Sequence, residues 1–296
     1  MNPNQPSNPP DISNQRDRSI VTIEFPFRLQ SSLTEIAIAD DMLVRQMDDK
    51  TKARLLHIEN VQYNENGKLS QFTSLPGCIF SISASIDIDE EFCSSNYVLV
   101  APSSERAREF NFALKLAGNS CSSLYIGYDP NGITHFLHPP CYFGQSALIV
   151  TQDEAPCLAK LVEQIAQARG DKRLKMMQDI YMHALTLGPR NESRFLEIAI
   201  ILEMLLLPSS SQELSYRFGL RLAKVMDKLF SSSLTVVFER GRSIYGTRSR
   251  LVHSGNDNRL DAIAPIAYDY ARTLLAAYLD DSTLFDDANL DALCLG

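Results

Sequence analysis

Apolar residues change their spacing once along this chain, and the change divides it in two. Over residues 19–27 Ile, Val and Phe alternate with polar positions, which predicts a strand. Residues 79–88 alternate apolar residues with Ser and Asp, the mark of a half-buried strand; residues 97–101 and 143–150 read as two further strands. Among them, residues 48–57 predict a short helix opened by Asp48 or Asp49. Residues 103–117 predict a longer helix, with Phe110, Ala113, Leu114 and Ala117 at helical spacing. Residues 123–128 and 133–137 flank Asp129-Pro130-Asn131-Gly132, a strong turn signal, and so predict a β-hairpin.

After residue 150 the period becomes helical and stays so. Thr151-Gln152-Asp153-Glu154 reads as a capping box, with the Thr hydroxyl taking an orphan amide and Glu154 reaching back. It opens a helix to about Ala168. Helices over 171–186, 191–207, 212–229, 234–253 and 260–279 follow, punctuated by Gly188-Pro189, Pro208-Ser209 and Ser254-Gly255. The expected fold class is α+β: a polar, Pro-rich disordered tail over 1–17, a mixed α/β domain over 18–150, an all-α helical bundle over 151–280 and an acidic tail over 281–296.

The chain has 296 residues, 45% of them hydrophobic and 22% charged, as in ordinary globular proteins. Its net charge of -8 argues against a surface that coats nucleic acid or a membrane, though not against a local basic cleft. The charge is uneven. Residues 155–279 hold 17 Lys and Arg against 12 Asp and Glu, whereas residues 280–296 hold five aspartates and no base. The six cysteines show no metal-ligand spacing and read as reduced, mostly buried thiols of a cytosolic protein. No apolar run is long enough to span a bilayer; residues 198–207 are too short and are interrupted by Glu203. His135 and His138 would fall on opposite faces of a strand, with no further ligand nearby, so no metal or cofactor is expected.

The candidate chemistry lies at the end of the 234–253 helix, where Arg248 and His253 stand five positions apart. An arginine can hold a phosphate and a histidine can move a proton near neutral pH, which together suffice for cleaving RNA without a metal. With 19 arginines and 5 histidines, roughly one such pair arises by chance, so the spacing needs context. Positions i and i+5 also differ by about 140° around an ideal helix, so the two side chains share a face only if the helix ends or bends there. Gly255 supplies a plausible end. Around them, Arg250 reads equally as a solvated charge or as an RNA backbone contact. Tyr245 can share a face with Arg248, and core packing is its plainer role beside base stacking. Glu203 reads first as a salt-bridge partner for Arg217 or Arg248 and second as a proton-transfer group. Glu213 reads as a helix N-terminal charge.

Three blocks supply the context: Leu202-Glu203-Met204-Leu205-Leu206, then Glu213-Leu214-Ser215-Tyr216-Arg217, then Tyr245-Gly246-Thr247-Arg248-Ser249-Arg250-Leu251-Val252-His253-Ser254-Gly255. In this order, on consecutive predicted helices, they resemble the Apea-like branch of the HEPN superfamily over roughly residues 155–280. Ser254 stands where that family usually has Gly. Ser249 stands where many HEPN nucleases carry Asn, Asp or His, and fits the Apea-like branch. The resemblance implies a helical bundle that forms a homodimer with two Arg/His motifs lining one cleft. It implies metal-independent endoribonuclease activity in phage defence or toxin-like RNA cleavage, with Arg248 and His253 catalytic and Ser249, Arg250, Tyr245 and Glu203 supporting or binding RNA. The N-terminal domain would then sense, restrain or target the nuclease through a regulatory ligand or protein.

Overall fold

A computed structural model describes residues 22–56, 58–63, 69–74, 95–118, 122–124, 126–131, 133–137, 147–187, 191–209 and 213–295. The expected 1–17 tail, the 79–88 strand and the first half of the 143–150 strand lie outside those residues. The fold is α+β. Six antiparallel strands form one sheet in the order β2-β3-β6-β1-β7-β8. They are β1 (Ile23–Phe27), β2 (Glu35–Ala39), β3 (Met42–Gln46), β6 (Tyr97–Ala101), β7 (Ile126–Tyr128) and β8 (Thr134–Phe136). β4 (Ile58–Tyr63) and β5 (Leu69–Ser74) pair separately. The β7–β8 hairpin turns as expected: the Asp129 carboxylate accepts the amides of Asn131 (2.9 Å) and Ile133 (2.8 Å). In place of a last strand, the described part of 143–150 makes only a single bridge from Ile149 to Gln30.

The helices are α1 (Asp49–Leu56), α2 (Ser104–Ala117), α3 (Ala155–Gln167), α4 (Lys172–Thr186), α5 (Glu192–Leu206), α6 (Leu214–Phe230), α7 (Leu234–Ser254), α8 (Leu260–Asp280) and α9 (Asp287–Leu295). Asp48, Ser103, Asp171 and Asn191 each accept a backbone amide at a helix start, which fixes four of these N-termini. At α3 only half of the expected capping box forms. Glu154 accepts the Thr151 amide (2.8 Å), but the Thr151 hydroxyl donates to the same carboxylate instead of accepting an amide. Phe110, Ala113 and Leu114 of α2 are buried as their spacing implies, whereas Ala117 is exposed in the last turn. Phe27 meets Phe110 edge-on at 5.7 Å, and Phe112 meets Tyr181 of α4 at 6.1 Å. One continuous hydrophobic core therefore runs from the sheet through α2 into the helical half. Among the described residues no helix is long and apolar enough to cross a membrane. The two described cysteines are free thiols, and they are not buried: Cys157 is exposed and Cys294 half-buried.

The C-terminal aspartates do not form a loose tail. A 3-10 turn (Ser282–Phe285) and α9 follow α8, and Leu284, Phe285 and Leu290 are buried. Arg221 of α6, only 1% exposed, donates to the Leu206 carbonyl (2.7 Å), to Asp287 (2.9 Å) and to Asp291 (2.7 Å). A buried guanidinium needs such partners, and Asp287 and Asp291, one helical turn apart, supply two of them. The acidic segment is thereby fastened to the basic half.

α6 and α7 form an antiparallel hairpin that crosses at two glycines. A Cβ added at Gly241 would lie 2.9 Å from the Gly219 Cα, and one added at Gly219 would lie 3.0 Å from the Phe238 carbonyl oxygen. The helices thus touch backbone to backbone. Gly241→Val is expected to lower stability by about 1–3 kcal/mol in urea denaturation, because the valine must force the helices apart. Gly170→Ala, whose new methyl would meet nothing within 4 Å, is expected to be neutral or slightly stabilising in the same assay.

Where the sheet layer meets α3, Arg106 of α2 donates to Asp41 (2.9 Å), Glu109 (2.7 Å) and Glu163 (2.9 Å), and Arg169 closes a second pair with Glu109. Hydrogen bonding from Arg106 holds the Asp41 carboxyl below its ordinary value; Lys160 does so for Asp280 and Arg221 for Asp291. A carboxyl depressed on folding contributes stability above its unfolded pKa and loses that contribution as pH falls through the folded one. The urea midpoint is therefore expected to fall below about pH 4. Arg106→Met should cost about 1–3 kcal/mol at neutral pH, by removing charge-assisted hydrogen bonds from Asp41, Glu109 and Glu163 while Arg169 still holds Glu109, and should flatten the acid dependence.

Candidate functional site

α7 carries most of the candidate residues. Its buried stripe is Val237, Gly241, Ile244, Thr247 and Leu251, at the helical spacing that seats it on α6. Arg248 therefore projects from the flank of that stripe towards α5. Its Nε lies 3.1 Å from Glu203 Oε1, and its Nη2 donates to Glu203 Oε2 at 3.4 Å. The arginine partner expected for Glu203 is thus Arg248. Burial pushes the Glu203 carboxyl above its ordinary value, and Arg248 opposes that shift. Glu203 is the only charged residue in the run 198–207. Unpaired, a half-buried carboxylate there would be costly.

Tyr245, one turn before Arg248, is half-buried against the core and lies 5.7 Å from the Phe218 ring. Burial first, and the Glu203 carboxylate second, push its hydroxyl above the ordinary value. Core packing is therefore the role its surroundings give it, with the hydroxyl at the edge of the Glu203–Arg248 pair. Ser249 is half-exposed beside them.

Arg250 turns the other way. It donates to Asp257 through Nε (2.7 Å) and Nη2 (2.5 Å), and Arg259 reaches the same carboxylate through its side chain (3.4 Å) and its amide (3.0 Å). Asp257 is the buried member of the cluster, and it ties the end of α7 to the start of α8. Neither reading of Arg250 from sequence, a solvated charge or an RNA contact, anticipated this structural pairing. The signal was available: an Asp two residues past a Ser-Gly helix stop and three before an apolar run is placed to hold a turn.

His253 sits in the last turn of α7 and is exposed, with no hydrogen bond or ion pair among the described residues. α7 remains helical through Ser254, and Gly255 then stops it in the left-handed region at φ 69°, its amide donating to the Leu251 carbonyl at 2.9 Å. The Ser254 hydroxyl donates to the Arg250 carbonyl (2.7 Å). Because α7 keeps its geometry this far, Arg248 and His253 leave it about 140° apart and about 7.5 Å apart along the axis. The fold brings Glu203, Tyr245 and Arg248 together and leaves His253 apart from them.

The other histidines are accounted for locally. His135 lies 3.3 Å from the Ser104 hydroxyl and 3.9 Å from Asp129. His183 is exposed and pairs with Glu197 at 2.8 Å. His57 and His138 lie outside the described residues. Glu213 precedes α6 in the left-handed region at φ 50° and makes no side-chain cap. Among the described residues no three His, Cys, Asp or Glu side chains group to hold a metal ion. The chain matches no family model, no curated protein and no solved structure.

Asp257→Ala is expected to cost about 2 kcal/mol in urea denaturation, since it removes hydrogen bonds from two charged donors and the Arg259 backbone amide. Hydrogen exchange should at the same time rise at the α7–α8 turn.

Proposed function

We propose that this chain is a metal-independent endoribonuclease of HEPN type, acting as a cytosolic homodimer in phage defence or in toxin-like RNA cleavage. The exposure of His253 carries the reading: an imidazole on the last turn of a helix, with no partner among the described residues, is free to exchange a proton with a substrate. RNA supplies the nucleophile. A base removes the 2′-hydroxyl proton, the 2′-oxygen attacks phosphorus, and the bond to the 5′-oxygen breaks as an acid protonates that leaving oxygen. The products are a 2′,3′-cyclic phosphate and a 5′-hydroxyl. Arg248, pre-oriented by Glu203, stabilises the charge that develops on the nonbridging oxygens.

One protomer offers one such histidine, and its Arg248 leaves the helix in another direction. A dimer that faces two α7 ends across a cleft answers both points, giving one imidazole for the base and one for the acid. Tyr245 and Glu203 act here as positioning residues, and Ser249 borders the phosphate site. Arg250, bound to Asp257, shapes the α7 end. The sheet half is the regulatory element of this reading, packed on the same core as the helices.

The pairing of Arg248 with Glu203 favours a second reading, in which the helical half binds RNA or dimerises without cutting, because that carboxylate already neutralises the cation. One assay separates the two. Purified wild type, Arg248→Ala and His253→Ala are incubated with total RNA and tRNA in EDTA, and product ends are read. The nuclease reading expects cyclic-phosphate ends from wild type and a loss of at least about a hundredfold in rate for His253→Ala. Equal cleavage by all three proteins would remove His253 from the mechanism, and binding without cleavage would favour the second reading.

A further inference from the structure

Beside the α6–α7 crossing lies an open groove of about 720 Å³ lined by Glu213, Leu214, Ser215, Tyr216, Phe238 and Arg242. We propose that this groove is a subsite for one unpaired nucleobase of a single-stranded RNA, feeding the strand towards Arg248. The proposal takes the identity of the polymer from the ribonuclease reading above; the features of the groove supply the rest.

Tyr216 is 53% exposed, an unusual position for a large ring, and it stands edge-to-face on Phe238 at 5.6 Å and 75°. That contact holds the tyrosine ring in place while leaving much of it bare, as a stacking platform for a base requires. The Arg242 guanidinium lies 5.8 Å from the centre of the Phe238 ring, and its carboxylate neighbour, Glu239, is 4.0 Å away. It is therefore available to a phosphate or to the edge of a stacked base. The side chains of Glu213 and Ser215 make no hydrogen bond among the described residues. A free carboxylate beside a stacking platform accepts from the ring N–H and amino groups of a base. Those groups are open only when the base is unpaired, which selects a single strand over a duplex.

Position and charge argue for the same occupant. Phe238, Arg242, Tyr245 and Ser249 form one stripe along α7 (spacings of four, three and four residues), so the groove and the surroundings of Arg248 share a face of the helix. Arg242 lies about 9 Å, and Phe238 about 15 Å, from Arg248 along the axis. Residues 213–255 carry eight Lys and Arg against three carboxylates, and five of the eight still outnumber those carboxylates once Arg221, Arg248 and Arg250 are matched with Asp287 and Asp291, Glu203 and Asp257, in a chain whose net charge is -8. A polyanion is complementary to such a surface, whereas a second copy docked groove to groove would bring Arg242 against Arg242.

The test is fluorescence anisotropy with a short labelled single-stranded RNA of mixed sequence, using full-length His253→Ala protein so that the strand stays intact. Tyr216→Ala and Arg242→Ala, added to that background, are expected to weaken binding about tenfold each, while Tyr216→Phe keeps it. A blunt duplex of the same sequence is expected to bind more weakly than the single strand. Unchanged binding by Tyr216→Ala, or a duplex bound as tightly as the single strand, would overturn the proposal. So would light scattering in which Tyr216→Ala turns a dimer into a monomer while RNA binding is unaltered; the groove would then be a protein interface. The two claims fail separately. A wild type that never cuts RNA, but whose RNA binding depends on Tyr216, keeps the subsite and loses the nuclease. His253-dependent cutting with Tyr216-independent binding does the reverse.

Discussion

Backbone contact between Gly219 and Gly241 sets the geometry on which the helical half depends. A glycine inside a helix costs roughly 1 kcal/mol relative to alanine, and here two are spent at one crossing. In return α6 and α7 approach closely enough for Phe218 to meet Tyr245 on one side of the crossing and for Tyr216 to meet Phe238 on the other. The first pair anchors the turn that carries Arg248 beside Glu203. The second forms a wall of the groove. Moving the helices apart would disturb both together, which links stability to the site through one constraint.

Charge in this protein is mostly partnered, and the partnering shows where it is not. Arg106 and Arg169 hold the junction of sheet and helices, Arg221 fastens the C-terminal helix, Arg248 holds Glu203, and Arg250 and Arg259 share Asp257. On α7 this leaves Arg240 and His253 without a partner among the described residues, and Arg242 with only a distant one. The side chains of Arg108 of α2 and of Lys172 and Lys175 of α4 likewise make no hydrogen bond or ion pair among the described residues, so α7 is set apart by its exposed, unpaired imidazole rather than by free charge alone.

The helices of the second half could be read almost to the residue, because a sustained 3.6 period bounded by Asp171, Asn191 and Gly255 leaves few alternatives. The β2–β3 hairpin was missed although Glu35-Ile-Ala-Ile-Ala39 alternates and Asp40-Asp41 turns: five-residue strands carry little periodic signal. The C-terminal helix was missed for a different reason. Its aspartates look like a solvated tail until Arg221, some seventy residues away, is seen to bind them. At the site, a salt bridge for Glu203 followed from a lone charge in an apolar run, and the fold selects Arg248 over Arg217 as its partner. The Asp257 cluster did not, because its partners come from both sides of a turn and only the fold aligns them. The direction in which His253 points depended on whether α7 ended before or after it, which local sequence left open.

The central claim is that the ends of two α7 helices make one phosphodiester-cleaving cleft, with the arginine and histidine acting from different directions. Co-expressing wild-type and His253→Ala chains under separate tags and purifying the mixed dimer, which holds a single His253 imidazole, tests it directly. If the mixed dimer cuts RNA nearly as poorly as the His253→Ala homodimer, both imidazoles serve one cleft as described. A mixed dimer that keeps a substantial part of wild-type cleavage would contradict the account, since each protomer would then work alone.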